Sequence, residues 1–175
     1  MDLFETIEKR YSYRGEFKPA PVPREHLKKI VEAGIRAPSA CNGQVVSFVI
    51  VDDPDLLEKT AKIIDRPVCH TAKAMIVVVY DTRPVYREMS FAQEDCGAAV
   101  ENVLLAIAAL GYDTVWLDGA LRTENRAERV GQLLGVPLEQ TVAVVLPLGI
   151  ALEPGKQRER LPFEQRAWFN GWGKV

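Results

Sequence analysis

Apolar residues recur along this chain in two rhythms. Leu27, Ile30, Val31, Gly34 and Ile35 repeat at three and four, as one buried helix face requires. That pattern predicts a helix opening near Arg24 and closed by Pro38. An earlier helix is predicted after Asp2, which suits an N-cap, with Leu3, Phe4 and Ile7 on one face. It should fail near Tyr11 to Tyr13, where aromatics and Ser12 lower helix preference and Gly15 follows. Pro19, Pro21 and Pro23 keep the intervening segment extended.

The second rhythm is the short unbroken apolar run. VVSFVIV at 45–51 and AMIVVVY at 74–80 are too short and too β-branched to prefer helix, and read as buried strands. Between them, Asp53 and Pro54 lead into a short helix carrying Leu56, Leu57 and Ile63; residues 81–90 read as loop. From Phe91 to Leu110 the pattern is helical and almost free of charge after Glu101, stopping at Gly111. A helix apolar on most sides packs against a sheet, another helix or another subunit. Thr114 to Leu117 reads as a short strand, Arg126 to Leu134 as a helix, and TVAVVLPLGI as the last strong strand. Its Pro147 points to an edge, an end or an irregularity. After Pro154 the periodicity stops. The sum is one domain over residues 1–175, of α+β class, without repeats or a long linker.

Composition narrows the function classes. At 47% hydrophobic and 26% charged, the 175 residues describe an ordinary folded protein with a substantial core. A formal net charge of −2 gives no global basic signal for nucleic acid, so any anion site must come from locally gathered arginines. Cys41, Cys69 and Cys96 lack metal-ligand spacing and cannot all pair within one chain, which fits a reduced cytoplasmic setting. The N-terminus has no apolar leader core, and no run approaches a membrane span. No GxGxxG, GxxxxGK[ST] or HExxH is present. His26 and His70 are isolated, the latter in a loop or strand entry; Cys41 has no local histidine partner and reads as a small packing residue.

Five stretches in order, EKRYSYRGE, RAPSACNGQVVSFVIV, ENVLLAIAALGYDTVWLDG, LGVP and RERLPFEQ, span nearly the whole chain. Together they resemble the flavin mononucleotide (FMN)-dependent nitroreductase family, although no single stretch is specific. The resemblance implies a mixed central β-sheet flanked by helices and a homodimer with two FMN molecules at its interface. It also implies reduction of small electron-poor acceptors, such as nitroaromatics or quinones, by NADH or NADPH in a ping-pong cycle. Enzymes that break down reduced flavin with oxygen or dehalogenate aromatics share the scaffold, as would a flavin-binding module without turnover.

The resemblance also assigns residues. Arg10, Ser12 and Arg14, spaced by two, project the same way in an extended segment and make an anion-binding surface, or else a solvated basic turn. The family pattern puts Arg10 and Ser12 at the FMN phosphate and ribityl tail, and Arg14 beside the pyrimidine edge of the ring, where positive charge stabilises reduced flavin. Pro38, Ser39, Ala40 and Asn42 match the segment that contacts the partner subunit's flavin; the plainer reading is a loop that ends a helix. Gln44 is a weaker candidate, and Val45 and Val46 stand where the family often has proline and an aromatic. A backbone N–H near Asp118 or Gly119 is expected at flavin N5, unless Asp118 caps the next segment. Arg158 and Arg160 should complete the phosphate site from the far end of the chain. The aromatic stretch within 161–175 is expected to be an arm packed on the partner, anchored by Phe163, Trp168, Phe169 and Trp172.

Overall fold

A computed structural model describes residues 1–174 of the chain. Its centre is β2 (Ala74–Asp81), whose first six residues are all buried. A strand covered on both faces needs no polar alternation, which explains the unbroken run that predicted it. β2 pairs antiparallel with β1 (Val46–Val51) on one side and with β4 (Gln140–Gly149) on the other. A two-residue β3 (Asp113–Thr114) adds to the end of β4, giving the order β1-β2-β4-β3. The named ladders are all antiparallel; a parallel pairing occurs as an isolated bridge between Ser12 and Thr114, outside those four strands.

The sheet separates two apolar layers. Met75, Val77, Val79 and Val145 face Ala61 and Ile64 of α3 (Pro54–Ile64) and Val130 of α6 (Arg126–Leu134). Ile76, Val78, Val144 and Leu146 face Leu27, Ile30 and Val31 of α2 (Arg24–Ile35), with Val100, Val103 and Ile107 of α5 (Ala92–Ala109). The two helices of that second layer approach closely at Gly34. A Cβ there would lie 2.7 Å from Val103 Cγ2 and 2.8 Å from Phe48 Cζ.

Three local features differ from the sequence pattern. The strand expected over Thr114 to Leu117 is interrupted. Only Asp113 and Thr114 join β3, and Leu117 returns to bridge Val145 after Val115 and Trp116 turn toward opposite apolar layers. Pro147 does lie near the end of β4, but the break in register falls earlier, where Val142 and Val144 oppose Val79 and Val78. His70 ends a four-residue α4 (Pro67–His70), opened by a proline at its first position.

The first helix, α1 (Leu3–Lys9), forms as expected, with the Asp2 carboxylate accepting the Glu5 N–H at 2.9 Å. Its apolar face is not buried. Leu3, Phe4 and Ile7 are 60%, 76% and 43% exposed, while Thr6 is the residue turned inward. The C-terminal segment likewise packs on itself. Phe163 lies against Phe169 with ring centroids 5.9 Å apart, and Trp168 against Trp172 at 4.3 Å; Trp172 remains exposed. Among the described residues, no helix is long and apolar enough to cross a membrane.

Candidate functional site

The segment after α1 runs extended, and its side chains alternate. Tyr13 is buried and Tyr11 half-buried, whereas Ser12 and Arg14 face out. The inward tyrosines stack edge to face at 6.3 Å. Each then receives a main-chain donor from the other end of the chain: the Tyr13 hydroxyl accepts the Leu152 N–H at 3.2 Å, and the Tyr11 hydroxyl accepts the Gly155 N–H at 3.0 Å. Gly155 admits the ring, since a Cβ there would sit 2.6 Å from Tyr11 Cε2. The Gln157 amide finishes the attachment by donating to the Ile7 and Arg10 carbonyls at 3.2 and 2.8 Å.

This clamp brings Arg158, the residue after Gln157, to the Arg10–Arg14 segment across nearly the whole sequence. Arg14, Arg158 and Arg160 are exposed and form no ion pair among the described residues. Arg10 is mostly buried, with its Nε 3.4 Å from Glu101 Oε1 on α5. Tyr11, Tyr13, Gln157 and Glu101 were missed by sequence reasoning. The alternation of tyrosine with polar residues at 10–14 was the available signal; Gln157 and Glu101 offered none.

The second predicted segment lies elsewhere on α5. Ala40 to Asn42 form a single 3₁₀ turn, with Pro38 and Ser39 leading into it. The Ala40 N–H donates to the buried Asp95 carboxylate at 3.0 Å. Cys41, Asn42 and Gln44 all have positive φ, of 49°, 55° and 48°. Such a conformation costs a non-glycine residue about 1–2 kcal/mol, less for asparagine. Gly43 within the turn has an ordinary φ of −68°; it is small because Val85 Cγ1 would lie 2.7 Å from a Cβ. Asp95 and Glu101 are six residues apart, so the Ala40 contact and the Arg10 contact lie about 9 Å apart along α5 and about 120° around it.

The third segment follows β3. Asp118 precedes a 3₁₀ turn over Gly119–Arg122, but its side chain does not cap it; instead the carboxylate pairs with Arg122 at 2.9 Å. No atom lies within 4 Å of a Cβ built on Gly119, which leaves that backbone open to a flat ligand. Asp118 lines a cavity of about 410 Å³ together with Cys96, Gly97, Trp116, Arg122 and Glu128. Burial, and then the Asp118 charge, push the Cys96 thiol up to about 11. The arginines at 10, 14, 158 and 160 do not reach this cavity; Arg10 lines a separate one of about 190 Å³ with Tyr11, Leu104 and Thr114. The Ser12–Thr114 bridge joins the two regions, since Thr114 precedes Asp118 by four residues, about 13 Å of extended chain at most.

The donor set suits a phosphorylated flat ligand. Guanidinium groups without carboxylate partners meet a phosphate, and an open backbone at Gly119 admits a ring. The single chain ties Gln157, the residue before Arg158, to the main chain of Arg10 and leaves the Pro38–Asn42 turn apart.

Similarity to known proteins gives this geometry a frame. The nitroreductase family model matches residues 7–68 and 64–150. A Methanothermobacter thermautotrophicus protein provisionally named NADH dehydrogenase/NAD(P)H nitroreductase is 32% identical over 89% of this chain and 81% of its own. A crystal structure from Parabacteroides distasonis under the same provisional name superposes with a TM-score of 0.83 at 29% identity, covering 97% of this chain and 98% of that one. The NADPH:FMN oxidoreductase of Vibrio harveyi, solved in complex with NAD⁺, superposes with a TM-score of 0.83 at 25% identity, over 99% of this chain and 79% of that one. The chain belongs to the nitroreductase family.

Proposed function

We propose that the protein is an FMN-dependent oxidoreductase that uses NADH or NADPH to reduce small electron-poor acceptors, such as nitroaromatics or quinones, alternating donor and acceptor in a ping-pong cycle. The observation that carries this reading is the clamp of Tyr11, Tyr13 and Gln157, which ties the chain just before Arg158 to the main chain of Arg10, at the head of the Arg10–Arg14 segment. A phosphate needs several donors converging from rigid backbone, and two chain ends held together provide them. The names of the related proteins, which print NAD(P)H, NADPH and FMN, support the same chemistry.

In this reading Arg10, Ser12, Arg158 and Arg160 hold the phosphate and ribityl tail, and Arg14 sets its charge against the pyrimidine edge. Pro38, Ser39, Ala40 and Asn42 reach the flavin of a second subunit, and the main chain at Asp118 and Gly119 lies along the reacting edge. The flavin supplies the hydride-accepting chemistry when bound. The protein binds and orients it, tunes its charge and excludes water; no side chain is assigned the role of acid or base. Residues 1–175 act as one unit in a homodimer, with 161–175 as an arm laid on the partner. Three unbridged cysteines support a cytoplasmic setting.

Anaerobic stopped-flow mixing of the FMN-loaded protein with NADH and with NADPH tests the reading. Bleaching of the flavin band by at least one nucleotide, and its return on adding a nitroaromatic or quinone, is expected. A bound flavin that neither nucleotide bleaches would contradict turnover and leave a binding module.

A further inference from the structure

The turn at Ser39–Gln44 has a conformation that its own sequence does not favour. Three non-glycine residues are left-handed while the one glycine is not. Such a turn persists only where its surroundings over-determine it. Its internal bonds, Asn42 N–H to the Ser39 carbonyl at 3.0 Å and Gly43 N–H to the Ala40 carbonyl at 2.8 Å, are those of any tight turn. Two contacts from outside are not. On one side, Asp95 Oδ1 accepts the Ala40 N–H at 3.0 Å. On the other, Arg83 Nη2 donates to the Gly43 carbonyl at 2.8 Å. The Arg83 guanidinium is itself braced against the Asp81 carboxylate at 2.6 Å, at the end of β2.

Asp95 is a costly residue in its position. It is 6% exposed, forms no ion pair among the described residues, and its Oδ2 is buried without a hydrogen-bond partner. Burying a carboxylate in this way is unfavourable unless it does something a smaller apolar residue cannot. Its one resolved bond goes to the main chain of the turn, immediately before the left-handed pair Cys41 and Asn42. Asn42 and Gln44 are left exposed, facing out of the subunit.

We propose that Asp95 is a positioning residue for the flavin-facing turn, with Arg83 as its second latch: together they fix the main chain at Ala40 and Gly43 so that Asn42 is presented to the partner's cofactor. This rests on the functional reading above. Asp95 touches no reacting atom; it acts through the backbone of the turn. A neutral acceptor of the same shape therefore suffices, and Asp95→Asn should keep the Ala40 bond.

The test combines amide exchange on the cofactor-free protein with FMN titration. Asp95→Ala should speed exchange at Ala40 and weaken FMN binding, each about ten-fold or more, and shift the bound flavin's visible spectrum. Asp95→Asn should stay within about three-fold of wild type in both. Arg83→Ala, an exposed site that leaves the fold intact, should move the same readouts in the same direction from the turn's other end. If Asp95→Ala does not fold, the Arg83 and Asp95→Asn variants carry the test. Wild-type exchange, affinity and spectrum in Arg83→Ala and Asp95→Ala would overturn the proposal, as would Asp95→Asn falling as far as alanine. A wild-type protein that binds no FMN defeats the functional reading instead, and the exchange measurement still reads the latch.

Discussion

At the scale of single residues, the site depends on which charges are free. Among the described residues, Arg10 is the one of the four arginines proposed for the phosphate site that has a carboxylate beside it, and that Glu101 is half exposed. A pair at 3.4 Å with one partner half in solvent contributes about 1 kcal/mol, so a phosphate can displace it. Arg10→Ala and Arg160→Ala should each weaken FMN binding by about 1–3 kcal/mol, and non-additively if both hold one phosphate. Glu101→Gln should tighten binding by less than about 1 kcal/mol. Isothermal titration separates these outcomes; weakening in Glu101→Gln would make Glu101 an orienting partner instead of a competitor. The clamp has its own signature. Burial first, and then the Asp113 carboxylate, push the Tyr11 hydroxyl up to about 12. The folded chain therefore holds that proton longer than the unfolded one, whose value is near 10. The stability tied to the protonated Tyr11 hydroxyl, through its burial and Asp113, is complete below about pH 10 and is lost as pH rises toward 12. The Gly155 N–H bond of the clamp acts in the opposite sense and favours the phenolate. Urea unfolding across that window should show a steeper loss for wild type than for Tyr11→Phe, and equal slopes would remove Tyr11 from the account.

At the scale of elements, periodicity carried the reading where one rule dominated. β1, β2, α2 and α5 each bury a run or a face that local sequence already displays, and each forms within a residue or two of its expected bounds. The misreadings come from places where a distant partner decides. Thr114 to Leu117 has strand-like residues, but Ser12 and Val145 divide its pairing. Cys41, Asn42 and Gln44 are left-handed in a turn braced from outside by Asp95 and Arg83, with Val85 against Gly43. The two arginine-bearing segments were legible as basic residues at spacing two, and the resemblance implied that they meet; the Gln157 amide and inward tyrosines that tie the two chain ends together were not legible. Gly34 is a further case, its requirement set by Phe48 and Val103. Gly34→Ala sets a helix-propensity gain of about 1 kcal/mol against overpacking of about 1–3 kcal/mol from two side chains held in the core. A net loss is expected in thermal unfolding. A stabilised variant would show that α2 and α5 have room to separate.

At the scale of the whole molecule, two features are incomplete in a single chain. α1 exposes Leu3, Phe4 and Ile7, and Leu3 lines a groove with half-buried Leu105 and Ala106 and exposed Ala109 of α5, giving an apolar strip at the surface. Among the described residues of the aromatic arm, Phe163 pairs with Phe169 and Trp168 with Trp172, and Phe163, Phe169 and Trp172 stay exposed. A chain of this size folds without a partner, so neither is needed for stability alone. The Pro38–Asn42 turn is equally unmatched, lying on another part of α5 from the arginines it should serve. The proposed homodimer would account for all three, with helices paired through the strip, arms crossed and each turn completing the other's flavin pocket. If the pocket is shared in this way, FMN binds the dimer in preference to the monomer, and assembly and FMN binding are thermodynamically linked. The most direct measurement is sedimentation velocity across a dilution series, with flavin fluorescence read in the same samples, for the full chain and for a truncation after Pro162. The account predicts that flavin is released as the dimer dissociates, and that truncation moves both transitions together to higher protein concentration. A monomer that keeps stoichiometric, tightly bound FMN would contradict the shared pocket.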